Sequence, residues 1–158
     1  MMTFTAQNDG AKKPKRIKDG FRSGIMLEIC YAVFICAVLL LFDKQLIGLF
    51  GDSKQMLSEG SRYFAVMAFF YWLPGVTNAH QGFLRGVGKM KMTLYGTLTQ
   101  ITFRVIFTFL LVPRIGLVGV GFACIAGWIA MLGWQAPYCI HIRKKMMTER
   151  KENYDLQG

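Results

Sequence analysis

Residues Tyr63–Lys91, YFAVMAFFYWLPGVTNAHQGFLRGVGKMK, constrain this chain more than any other stretch. A long apolar run turns polar at Asn78, His80 and Gln81, then closes on Arg85, Lys89 and Lys91. A helix over 63–84 would be about 33 Å long at about 1.5 Å per residue, against roughly 30 Å of bilayer hydrocarbon. The pattern predicts a membrane span with a basic cytoplasmic end.

Three more runs read the same way. Ile25–Phe42 is just long enough to cross, and longer if its helix begins near Arg22. Met92–Val112 forms the third span, which Pro113 is expected to end sharply, and Gly116–Ile142 forms the fourth. Hydrophobic residues make up 53% of the chain and its mean hydropathy is +0.33, more apolar than an ordinary soluble domain. The predicted fold is all-α, a polytopic membrane protein with four transmembrane helices. Its organisation is a polar, basic segment over 1–24, a transmembrane region over 25–142 with spans at 25–42, 63–84, 92–112 and 116–142, and a basic tail over 143–158. Pro14 predicts a loop at Gly10–Lys15 with a helix starting nearby, and the tail is expected to be helical at first and then frayed.

Charge sets the orientation. Six Lys and Arg precede the first span, three lie between Arg85 and Lys91, and five follow from Arg143, whereas the other two connections hold four. By the positive-inside rule both termini are cytoplasmic, in a multi-pass protein of the cytoplasmic (inner) membrane. The net charge of +10 does not mark a nucleic-acid binder, because the cations flank apolar spans instead of forming one face. A cleaved signal peptide is not expected, since the apolar run begins only near Ile25 and no small-residue cleavage site follows it.

Chemistry-bearing groups are sparse. Cys30, Cys36, Cys124 and Cys139 lie in apolar runs with no C-x-x-C and no His at ligand spacing, so buried free thiols are expected and no metal or cofactor. No nucleophile or acid–base pair stands out, and the chain is not read as an enzyme. Gly119, Ala123 and Gly127 fall at i, i+4 and i+8, a small-residue face for close helix packing. The Gly-x-Gly pairs at Gly86 and Gly88, and at Gly119 and Gly121, lack the strand that a phosphate loop needs.

Polar groups inside the spans carry the functional expectation, because charge in hydrocarbon is costly. Arg104 lies mid-span, where insertion costs roughly 2.5 to 3.5 kcal/mol. It either faces a cavity and meets substrate or a carboxylate, or makes a structural hydrogen bond to backbone or a polar neighbour. Thr93, Thr97, Gln100 and Arg104 share one face at spacings of three or four. Asn78, His80 and Gln81 form a polar helix end, for which solvation at the interface is preferred over a cavity. Glu28 is the sole carboxylate in a span. Pairing with Arg22, Arg85 or Lys89 is preferred over proton or Na⁺ carriage. Pro74-Gly75 would kink the second span, either lining a cavity or merely bending for packing. Phe69, Phe70, Tyr71 and Trp72 point all round their helix, and Trp128 and Trp134 lie on different sides of theirs, so lipid contact is expected for most aromatics.

Three motifs in order carry a resemblance: TFTAQN-x-GA-x-K-x-x-RIK-x-G at Thr3–Gly20, LF-x-x-QLIGLFG at Leu41–Gly51 and QGFLRGVGK-x-K at Gln81–Lys91. Over about 3–142 the chain resembles the second half of a multidrug and toxic compound extrusion (MATE) transporter. The resemblance implies a place in the C-terminal lobe of a twelve-helix fold, with the end of helix eight and a basic cytoplasmic loop in 1–24, and Ile25, Tyr63, Met92 and Gly116 opening helices nine to twelve. It implies an antiporter that exports drugs or organic cations in exchange for Na⁺ or H⁺, with membrane lipids, a small organic substrate and a missing N-terminal lobe as partners. A chain of these four helices is expected to be incomplete on its own. Its cavity-lining candidates are Arg104, Gln100, Thr97, Asn78 and Gln81, with Glu28 as a weak candidate for ion coupling. The family's coupling acids are not matched between Tyr63 and Leu84. Two other readings stand beside this one: a lipid-linked oligosaccharide flippase of the same superfamily, and a non-transporting module that assembles with other chains through Gly119, Ala123 and Gly127.

Overall fold

The computed structural model describes residues 1–49, 51 and 53–155, and the regular elements among them are all α-helices. They are α1 (Met2–Gly10), α2 (Pro14–Leu41), α3 (Asp43–Gly48), α4 (Lys54–Phe70), α5 (Trp72–Gly86), α6 (Met90–Ile115) and α7 (Val118–Asp155). The chain is a polytopic, all-helical membrane protein. Three helices, α2, α6 and α7, are each long and apolar enough to cross a bilayer.

The first span begins earlier than its apolar run suggests. Pro14 sits at the start of α2, where a missing N–H costs nothing and a fixed φ favours the helix. The expected loop narrows to residues 11–13, closed by hydrogen bonds from the Lys12 and Lys13 amides to the Asp9 and Asn8 carbonyls, both 2.8 Å. Lys12 takes a positive φ of 54° to make this turn. The 11 added residues turn Ile17 and Phe21 into the interior, at 1% and 3% exposure, and that burial holds the polar extension helical.

The expected single helix over 63–84 is two helices that meet at Tyr71, and neither alone qualifies as a span. Pro74 has no N–H to give to the Phe70 carbonyl and its ring crowds that group, so the break falls one turn before the proline. Tyr71 N–H bonds instead to Ala68 O at 3.3 Å, a tighter turn. The connection after the first span is also more ordered than a loop. It holds α3 and the first turns of α4, whose N-cap Ser53 accepts a hydrogen bond from the Met56 amide at 3.2 Å. Asp43 opens α3, where bonds from Ser61 and the Lys44 amide hold its carboxyl below the ordinary range.

Pro113 does not end the third span. Its φ is already helical, so α6 continues to Ile115 and stops at Gly116, whose φ of +65° glycine adopts freely. The tail is not frayed within the described residues, since α7 carries on to Asp155.

Packing centres on α5, which touches α1, α2, α6 and α7, while α6 and α7 form the most extensive pair. Ile17, Phe21, Ala79, Phe83, Leu84 and Cys139 make the main core, at the basic end of the bundle. The outward faces are strongly apolar: Leu27, Leu41 and Phe109 are 71%, 72% and 78% exposed. Such faces suit lipid or another protein surface, not water. Four buried thiols were expected, yet only Cys124 and Cys139 are buried. Cys30 is exposed on α2 and Cys36 is half-buried. All four are free.

Candidate functional site

The polar groups of the spans separate into three places. The first is a buried seam where α5, α6 and α7 meet. The Gln81 amide donates to Thr97 Oγ1 at 3.4 Å and to Met131 Sδ at 3.3 Å, and its carbonyl accepts from Arg85 Nη2 at 2.9 Å. Thr97 donates in turn to the Thr93 carbonyl at 3.1 Å. His80 is 6% exposed, with Nδ1 2.8 Å from Val76 O and its ring edge-on to Phe21 at 5.1 Å. The expectation of a solvated helix end therefore fails for His80, over which the early start of α2 brings Phe21, while Gln81 is half-buried against α6 and α7.

Gln135 belongs to the same seam and was not foreseen. It is fully buried, donates from Nε2 to the Met92 carbonyl at 3.3 Å, and lies against Gly96, where any Cβ would collide with its amide. Among the described residues its Oε1 has no hydrogen-bond partner, and neither has the buried Thr93 Oγ1. A carboxamide alone in an apolar run, GWIAMLGWQAP, is a signal that could have marked it, because an unpaired amide in hydrocarbon is costly.

The second place is an open groove of about 720 Å³ between α1, α2 and α5, with Glu28, Tyr31 and Asn78 on its wall. A smaller recess of about 70 Å³ adjoins them at the α4–α5 break, beside Tyr71 and Pro74. Gly75 lets the two helices meet here: a Cβ on it would lie 3.1 Å from Glu28 Cβ and 3.2 Å from its Oε2. The Tyr31 and Tyr71 rings flank the recess with centroids 6.4 Å apart. Glu28 was expected to pair with Arg22, Arg85 or Lys89, but the ion pairs among the described residues are Arg62–Glu59 and Lys145–Glu149. The geometry explains the difference, since Glu28 faces Gly75 and Asn78 while the cations lie further toward the basic end. Asn78 is exposed.

Third, Arg104 stands exposed midway along α6, and the most apolar stretch of that helix buries nothing within the chain. The polar stripe stays on one side of α6 but differs in burial: Thr93 is buried, Thr97 and Gln100 are half-buried, and Arg104 is exposed. The small-residue face is already filled. A Cβ on Gly119 would meet the Leu111 carbonyl carbon at 2.8 Å, one on Gly127 the Gln100 oxygen at 2.7 Å, and Ala123 between them is fully buried. This face packs α7 on α6, so it is not free for assembly with other chains. Among the described residues no three His, Cys, Asp or Glu side chains gather to hold a metal ion.

A family model, MatE, matches residues 1–110, from α1 through most of α6. No curated protein and no solved structure matches the chain.

Proposed function

Because the chain belongs to the MatE family of membrane transporters, we propose that it works as part of a cation-coupled antiporter, exchanging Na⁺ or H⁺ for drugs or organic cations. The observation that carries this reading is Arg104, exposed midway along α6 on the side that carries Gln100 and Thr97, in a helix of membrane length. Lipid is a poor neighbour for a guanidinium at that depth, and an aqueous cavity closed by a second lobe is a good one. Gln100 and Thr97 continue the polar face of α6, Gln81 meets it from α5, and Asn78 with Glu28 lines the groove between α1, α2 and α5. Alternating access needs elements that bend, and the α4–α5 break supplies one. Glu28 is the group proposed to carry the coupling ion, and both termini are proposed to lie in the cytoplasm.

Efflux of a fluorescent organic cation from cells expressing the gene that encodes this sequence tests the proposal. Export should stop when the Na⁺ or the H⁺ gradient is collapsed, and Glu28→Gln should uncouple it from that gradient. Export that persists at full rate with both gradients collapsed would contradict the antiporter reading.

A further inference from the structure

Beyond transport, and independently of it, we propose that the basic end of the helix bundle is a docking surface for the anionic headgroups of membrane phospholipids. Three separate segments bring cations to this end. Lys15, Lys18 and Arg22 fall at i, i+3 and i+7 along the first turns of α2 and are all exposed, while Ile17 and Phe21 on the opposite side are locked into the core. Lys89 and Lys91 stand exposed at the start of α6, and Arg143 enters from α7. The core beneath fixes them together, since Val87, Met92, Ile142 and Met146 all pack on the cluster of Phe21, Phe83 and Leu84.

The depth is right for headgroups. Along α2, Arg22, Lys18 and Lys15 stand about 3, 9 and 14 Å beyond Gly24, next to which the apolar part of the helix begins. Arg22 therefore lies within a polar layer roughly 5 to 8 Å thick, and Lys18 and Lys15 lie above it within about one Debye length, roughly 8 to 10 Å. Arg143 marks the inner edge of the surface: its guanidinium carbon is 4.2 Å from the centroid of the Phe21 ring and 5.9 Å from that of Phe83, held as cation–π contacts just outside the hydrocarbon. Among the described side chains Asp9, Asp19 and Glu149 are the acids nearby, and Glu149 lies 3.7 Å from Lys145. At the opposite end Lys44, Lys54, Arg62 and Arg114 are nearly balanced in sequence by Asp43, Asp52 and Glu59. A dense, rigidly presented cationic surface at one membrane interface, and a nearly neutral one at the other, is the pattern that attracts an anionic leaflet.

The full chain, extracted in mild detergent from membranes containing equal phosphatidylglycerol and phosphatidylcholine, would be assayed for bound lipid by native mass spectrometry. Phosphatidylglycerol should be enriched, and the enrichment should fall as ionic strength rises. K15Q/K18Q/R22Q should lose it, at about fivefold per cation removed at low salt, and K44Q/K54Q/R62Q should keep it. Salt-independent enrichment by the unmodified chain, or equal loss in both triple variants, would overturn the proposal. So would displacement of the lipid by inorganic phosphate beyond the effect of chloride at matched ionic strength, which would assign the surface to a free anion.

Discussion

Two glycines set how closely α6 and α7 approach. A methyl group on Gly119 would press on the backbone of Leu111 and Val112, which cannot turn aside as a side chain could. Gly119→Ala should therefore lower stability by about 1–3 kcal/mol. Gly133, on the same helix with nothing within 4 Å of its added Cβ, is the control. There alanine should be neutral or stabilise by up to about 1 kcal/mol through helix propensity. Thermal unfolding of both variants in detergent checks this, and equal effects would refute the packing argument. The spacing of Gly119, Ala123 and Gly127 made this face legible in the sequence. His80 was not legible, because its burial depends on Phe21, which belongs to a helix 59 residues earlier. Gln135 was overlooked for a similar reason: its partner, the Met92 carbonyl, comes from another helix.

Among the elements, apolar runs located α2, α6 and α7, and local chemistry shifted their ends. Pro14 started α2 where the hydropathy had not yet risen, and Gly116, not Pro113, stopped α6. Hydropathy alone cannot place such ends, since they depend on backbone geometry and on burial against other helices. The break at Tyr71 follows the same logic, with the Pro74 residue visible in the sequence and its effect felt one turn earlier. Restoring the N–H in Pro74→Ala should join α4 and α5 and protect amides around Tyr71 about fivefold more in hydrogen exchange, as one net hydrogen bond would. Unchanged exchange there would mean that the break has another cause.

At the scale of the whole molecule, two large surfaces of α2 and α6 remain apolar and uncovered within the chain, and one of them bears a cation. The segregated charge, the membrane-length helices and the MatE match agree on a transporter of the membrane. Family and helical class were readable from ordered motifs, whereas the groove of Glu28 and Asn78 arises only when α2 and α5 meet across Gly75. The central claim is that the side of α6 bearing Arg104 borders an aqueous cavity. Replacing the native cysteines with serine or alanine and introducing Arg104→Cys, in membranes carrying the full gene product, allows that claim to be tested with a membrane-impermeant thiol reagent. The account predicts labelling at position 104, reduced by a transported organic cation. A thiol there that reacts only with a lipid-soluble reagent, and is indifferent to substrate, would place this face of α6 in the bilayer and contradict it.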